Sequence, residues 1–170
     1  ELIFEDTFSA PGGWAVGDTP DSNVAVNGGA LTYTQKAPGS FSFRVVGRQG
    51  NDFSAEISTA LADNCGSGDK FGLIFRLQDA SNYYSFQIDC DGRYRFVRYG
   101  GGIASAVIDW TATKAIERGA RAANKLSVTA KGSDFIFAVN DTQVATAADT
   151  AYASGRFGLW IGANVSKNFT

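Results

Sequence analysis

The chain of 170 residues contains no histidine and no methionine, and it has only three prolines and two cysteines. The lack of histidine excludes Ser-His-Asp and Cys-His catalysis and zinc sites that use histidine ligands. No stretch approaches the ~18 consecutive apolar residues of a membrane-spanning helix. The net charge of -2 gives no electrostatic reason to expect a nucleic-acid partner. Because Glu1 is not a natural start, we expect residues 1–170 to be a single domain excised from a larger secreted protein.

The sequence is rich in aromatic residues and in segments in which apolar and polar residues alternate. The 13 Phe, 6 Tyr and 3 Trp indicate a large folded core. Apolar and polar residues alternate with period two along residues 70–78 and 83–89, and an Asp91-Gly92 turn leads into a return strand. Residues 126–139 form a second such hairpin. About twelve short strands predict two packed antiparallel sheets.

Two segments are less clear. Weak alternation predicts an opening strand at Leu2–Phe8. Residues 113–123 have partial helical character, but Gly119 favours turns over a long helix.

Cys65 and Cys90 are too far apart for a redox CxxC motif. If they pair, they close a loop of about 26 residues, worth roughly 3–3.5 kcal/mol in the chain-entropy model. A pair that brackets two predicted strands suits an oxidising compartment, so we expect a disulfide; two free thiols are the alternative.

Residues 70–102 contain motifs of a known superfamily. They read KFGLIFRLQDASNYYSFQIDCDGRYRFVRYGGG, with a Gly-Leu-x-Phe-Arg strand, an Asn-Tyr-Tyr-x-Phe strand and an Asp-Gly-x-Tyr return strand. Together with segments 3–18, 124–145 and 155–163, they resemble bacterial concanavalin A-like, laminin-G-like jelly-roll domains. The resemblance implies an all-β, two-sheet antiparallel jelly-roll sandwich. Domains of this type usually end with a strand paired to the first one, whereas residues 164–170 here are short and polar, so we expect that strand to be truncated or to be formed only by residues 168–170. The superfamily includes lectins, glycosidases, sugar-binding modules and adhesion domains.

The glycosidases that the chain resembles carry a Glu-x-Asp-x-x-Glu motif on one strand. This chain lacks the motif, and its four glutamates stand at positions 1, 5, 56 and 117. Asp89 and Asp91 flank a turn, and Glu5 and Asp6 are adjacent and therefore face opposite ways on a strand. We expect no catalytic residues. A hydrolase whose two carboxylates are remote in sequence remains an alternative.

The alternation also predicts which residues point away from the core. Five of them are polar or aromatic: Arg76, Tyr83, Gln87, Arg95 and Trp160. Sugar-binding sandwiches use aromatic planes with amides and charges, so this set predicts a ligand surface on one sheet. The alternative is an ordinary solvated sheet with Trp160 packed under a covering segment. Trp14 and Trp110 are assigned to loops that plug the ends of the sandwich.

Calcium is an open option as a cofactor, because sandwiches of this kind often hold Ca²⁺ at a rim. The candidate ligands lie in acidic loops, at Asp18, Asp21, Asp63 and Asp69, without Asp-x-Asp-x-Asp spacing. Taken together, the sequence predicts a secreted, non-catalytic, lectin-like carbohydrate-binding module whose partner is a glycan or cell-surface ligand. A protein-interaction or adhesion module is the first alternative, and a divergent glycoside hydrolase is the second.

Overall fold

The computed structural model describes residues 4–60, 65–163 and 167–169, and these residues form fourteen strands and no helix. None of the described segments is a helix long and apolar enough to cross a membrane. The strands are β1 Gly17–Asp18, β2 Ser22–Asn27, β3 Ala30–Gln35, β4 Ser40–Gly50, β5 Phe53–Ala60, β6 Lys70–Asp79, β7 Asn82–Asp89, β8 Arg93–Gly100, β9 Ile103–Ala112, β10 Ala123–Lys131, β11 Asp134–Val139, β12 Thr142–Ala148, β13 Gly155–Ala163 and β14 Lys167–Phe169.

The strands form three antiparallel sheets in two layers. One layer is a six-stranded sheet in the order β4-β13-β6-β7-β8-β9. The other layer consists of two four-stranded sheets, β1-β2-β3-β14 and β12-β11-β10-β5. Core residues from all three sheets belong to one cluster, so the two smaller sheets cover one face of the larger one. The predicted all-β sandwich is confirmed.

Phenylalanines fill the space between the layers. Phe75 of the six-stranded sheet lies 5.6 Å from Phe135, and Phe86 lies 4.8 Å from Phe137, measured between ring centroids. Phe96 also lies 4.8 Å from Phe137. These side chains come from alternate positions of their strands, as packing of two pleated sheets requires.

The predicted hairpin turns are present, and their backbone angles explain the turn residues. Asn140 and Asp141 join β11 to β12 with φ of 50° and 63°. Two consecutive positive φ values match the right-handed twist of a hairpin, and Asn and Asp tolerate them best after glycine. Gly92, between β7 and β8, has φ of 83°.

The opening segment differs from the prediction of a strand at Leu2–Phe8. Leu2 lies outside the described residues, and residues 4–8 are not a strand. The Asp6 carboxylate accepts hydrogen bonds from the Phe8 backbone N–H at 2.8 Å and from Trp14 Nε1 at 2.9 Å. Side-chain bonds therefore hold this segment in place of a sheet ladder. Trp14 lies in a loop and is buried against the core, as predicted.

Residues 113–122 form turns and bends, and the Asn124 side chain bonds both the backbone N–H and the carbonyl of Glu117. The last strand among the described residues, β14, pairs with β3 at the edge of the sheet β1-β2-β3-β14.

The disulfide between Cys65 and Cys90 is present, with the two Cα atoms 5.4 Å apart. It joins the segment before β6 to the end of β7. The predicted cross-link is confirmed, and it fixes the end of the six-stranded sheet that carries the β7–β8 turn.

Truncating a core phenylalanine tests this packing. Phe137 is fully buried, so Phe137→Ala should lower the free energy of unfolding by about 3–5 kcal/mol. Its neighbour Ile136 faces solvent on the same strand and is 44% exposed, so Ile136→Ala should cost less than about 1 kcal/mol. Urea unfolding of both variants measures the difference. Equal losses would contradict the assignment of faces on β11.

Candidate functional site

The six-stranded sheet has one face in the core and one face opposite to it, which we call the outer face. Tyr84, Phe86 and Ile88 of β7 lie in the core cluster, so Tyr83 and Gln87 lie on the outer face. Phe96 of β8 and Ile161 of β13 are core residues in the same way. Their neighbours Arg95 and Trp160 therefore join Tyr83 and Gln87 on the outer face. The structure brings these four of the five predicted site residues to one surface.

Arg76 is the exception, and the prediction that it shares this face is wrong. It has φ of 49°, and the pairing of β6 with β7 shifts register between Phe75 and Asp79. The alternation reverses there, so Leu77 packs with the outer-face residues instead of the core. A local bulge of this kind re-aims the side chains that follow it.

The Arg76 side chain is buried at the end of the sandwich, where it ties loops together. Its guanidinium donates to the carbonyls of Asn51 at 2.7 Å, Gly132 at 2.7 Å and Tyr152 at 3.0 Å. It also lies 4.9 Å from the centre of the Phe135 ring. Burial lowers the pKa of Arg76, and the charges of Tyr84 and Asp52 oppose that shift. The geometry gives Arg76 a structural role.

Trp160 lies on the outer face as predicted, but it is covered there, in agreement with the alternative that it packs under another segment and not with an exposed ligand surface. Only 2% of its surface is accessible, because other aromatic rings cover it. Phe41 stacks on the indole at 5.4 Å and 18°, and Phe41 itself is 51% exposed. Tyr83 is also buried; it stacks on Tyr99 at 4.4 Å and contacts Phe43 at 5.5 Å. We call these five rings, Phe41, Phe43, Tyr83, Tyr99 and Trp160, the aromatic cluster.

A glycine makes room for the indole. A Cβ at Gly162 would lie 2.8 Å from Cη2 of Trp160 and 3.4 Å from Cε of Lys70. The Trp160 ring therefore lies over the bare backbone of its own strand. Its Nε1 is the one buried side-chain polar atom without a hydrogen-bond partner in the described part of the chain.

Beside the aromatic cluster lies a polar group built on β7, β8 and β9. Arg95 Nε donates to Gln87 Oε1 at 2.8 Å, and Gln87 Nε2 donates to Ser85 Oγ at 3.1 Å. The Arg95 guanidinium lies 4.5 Å from the centre of the Trp110 ring. The prediction that Trp110 lies in a loop is wrong, because it belongs to β9 and is half-buried on the outer face.

Trp110, Phe41 and Lys70 also belong to this surface, and none of the three was among the predicted site residues. Lys70 shares the alternation of β6, since Phe71 points into the core, and that pattern was sufficient to find it. Trp110 could not be assigned to this face from the sequence, because the β8–β9 pairing contains two register shifts that break the alternation on β9.

The outer face also carries a carboxylate, which is fully engaged. Asp89 Oδ2 accepts from Arg93 Nε at 2.8 Å, and Oδ1 accepts from the backbone N–H groups of Asp91 and Arg93. Arg93 bonds Asp91 as well. These contacts tie the β7–β8 turn and leave Asp89 without a free lone pair directed at a ligand.

Three of the four candidate calcium ligands are among the described residues, and each of them either bonds another residue or is exposed. Asp18 pairs with Lys36, Asp69 Oδ2 accepts from the Gly66 N–H, and Asp21 is exposed; Asp63 lies outside the described residues. Within the described ranges, no group of three or more Asp, Glu, Cys or His side chains is placed to hold a metal.

Known structures share this fold. The carbohydrate-binding module CBM66 from Bacillus subtilis is 25% identical over 94% of this chain and 92% of its own, with a TM-score of 0.75. The Bacillus licheniformis beta-glucanase is 14% identical over 96% and 92%, with a TM-score of 0.63. A GH43 protein from Bacillus licheniformis is 13% identical over 96% of this chain and 37% of its own, with a TM-score of 0.68. No protein family and no curated protein matches the sequence. The chain has the concanavalin A-like jelly-roll fold.

The buried tyrosines predict a loss of stability at alkaline pH. Burial raises the pKa of Tyr83, and burial together with the bond to Asp149 raises the pKa of Tyr84 to about 12. The folded protein therefore keeps protons that the unfolded chain releases near pH 10. The stabilising effect is intact below pH 10 and is lost as the pH rises towards 12. The free energy of unfolding should fall across that range.

Absorbance of the phenolate form, followed together with unfolding, measures this effect. The double variant Tyr83→Phe, Tyr84→Phe should lose less stability between pH 10 and pH 12 than the wild type. Ionisation of all 6 tyrosines near pH 10 in the folded protein would contradict the burial of these two.

Proposed function

We propose that the protein is a non-catalytic carbohydrate-binding module that holds a glycan on the outer face of the six-stranded sheet. The observation that supports this most is the array of Arg95, Gln87 and Trp110 beside the aromatic cluster. The likeness to the carbohydrate-binding module CBM66, at 25% identity over nearly the full length, supports the same assignment.

The array offers the groups that sugars require. A pyranose ring presents hydroxyls that donate and accept hydrogen bonds and an apolar face that packs on aromatic rings. Arg95 supplies guanidinium donors and Trp110 supplies a half-buried ring, whereas Gln87 is fully buried and holds Arg95 in place from below. The bonds from Arg95 to Gln87 and the stack on Trp110 hold these groups in place before a ligand arrives. Such preorganisation reduces the entropy lost on binding.

The state of Asp89 favours binding over hydrolysis. Glycoside hydrolysis needs two carboxyl groups about 5–10 Å apart on either side of one glycosidic bond. Both oxygens of Asp89 are committed to Arg93 and to backbone N–H groups of its own turn. Its role is therefore to shape the end of the site.

The disulfide and the fold support a secreted, modular setting. The Cys65–Cys90 bond suits an oxidising compartment, which supports secretion. The fold covers 37% of the longer GH43 chain, where it occurs as one part of a larger protein. We infer the same modular arrangement here.

A glycan array followed by calorimetric titration of the best ligand tests the proposal. Trp110→Ala should weaken binding by about tenfold or more, the range expected when an aromatic contact is truncated. Ile103→Ala provides a matched control, because Ile103 lies on the same strand and is 72% exposed. The control should bind as the wild type does.

Three results would overturn the proposal. They are the absence of binding to every glycan tested, equal binding by Trp110→Ala and the wild type, and release of reducing sugar from the bound glycan. The last result would favour the hydrolase.

A further inference from the structure

We propose that the glycan carries an anionic substituent, a carboxylate or a sulfate, which is held between the side chains of Lys70 and Arg95. This inference rests on the proposed function and names the ligand class of the same surface.

The two cations lie on the outer face on either side of β7. Lys70 of β6 pairs with Asp89 of β7, and Arg95 of β8 pairs with Gln87, two residues away along β7. With strands about 4.8 Å apart and alternate residues about 7 Å apart, their Cα atoms are separated by about 12 Å. These are the longest side chains available, and they can converge over the strand between them.

Neither cation has an ion-pair partner among the described residues, whereas three other cations of the chain do. Arg93 pairs with Asp89, Arg98 with Asp149, and Lys125 with Asp141. Lys70 Nζ instead donates to the carbonyl of Gly68 at 3.3 Å, and Arg95 donates to the neutral amide of Gln87. Both side chains are half-buried.

This arrangement is unfavourable without a ligand. Burial and the charge of Arg95 lower the pKa of Lys70, and burial lowers the pKa of Arg95. The charge of Asp89 opposes the lowering of the pKa of both cations, but the Asp89 oxygens are bonded to Arg93 and the turn backbone. Tyr99 and Asp109 also oppose the lowering of the Arg95 pKa, but Asp109 bonds the Trp110 backbone N–H. The charge of Asp69 opposes the lowering of the Lys70 pKa, and the Asp69 carboxylate accepts a hydrogen bond from the Gly66 N–H.

An anion between the two side chains would compensate for the burial of both positive charges at once. Guanidinium presents a planar fork that matches two oxygens of a carboxylate or sulfate, and the lysine ammonium adds a point charge. Trp110 and the aromatic cluster lie beside this position and would contact the sugar ring that carries the anion.

Matched ligands test the inference. Trigalacturonate should bind at least about tenfold more tightly than its methyl ester, which has the same backbone without the charges. A sulfated galactan oligosaccharide without carboxylates tests sulfate as the source of the anion. Lys70→Gln and Arg95→Gln should each abolish most of the preference for the charged ligand. Lys131→Gln, which removes an exposed charge from the other layer, should retain it.

The outcomes separate this inference from the proposed function. Preference for either charged ligand, lost in both variants and weakened by added salt, supports it. Equal binding of charged and neutral glycans by the wild type, or an unchanged preference in both variants, overturns it while the glycan-binding function stands. Thermal unfolding of each variant identifies any loss of fold, and a destabilised variant is replaced by Lys70→Met or Arg95→Met.

Discussion

The structure depends on the burial of one face of the six-stranded sheet. Phe75, Phe86 and Phe96 come from three neighbouring strands and meet Phe135 and Phe137 of the opposite layer. Because side chains alternate, a slip of one residue in any of these strands would exchange its two faces and expose the aromatic rings to water. The core therefore sets the register, and the register in turn decides which residues meet on the outer face. Gln87 lies opposite Arg95 for this reason.

Regular alternation in the sequence was enough to predict the fold and most of the outer face. The strands β7, β8 and β13 keep the period over the residues that matter, so Tyr83, Gln87, Arg95 and Trp160 were placed on the correct face. The strands β6 and β9 break the period at bulges, and the sequence carries no clear sign of them. As a result, the Arg76 side chain lies at the end of the sandwich and not on the outer face. Trp110 lies on β9 and not in the predicted loop.

Burial on the outer face was the other property that alternation could not predict. The period-two alternation predicts the face of the sheet on which a side chain lies, but it does not predict which other side chains cover that position. Phe41 is remote in sequence from Trp160, and β4 is placed next to β13 only by the folded topology. The ring of Phe41 then covers an indole that would otherwise face water. The accessible part of the site consequently consists of Arg95, Trp110 and the ring of Phe41, while the rest of the aromatic cluster is covered.

The most direct test of this account is an NMR titration of the isotope-labelled protein with its best glycan. The account predicts that the amide signals of Gln87 and Arg95 and the indole N–H signal of Trp110 shift together and saturate with one affinity. Signals from β10, β11 and β12 should stay unchanged, because those strands lie in the other layer. Shifts confined to β10–β12, or to the loop at residues 113–122, would contradict a glycan site on the outer face.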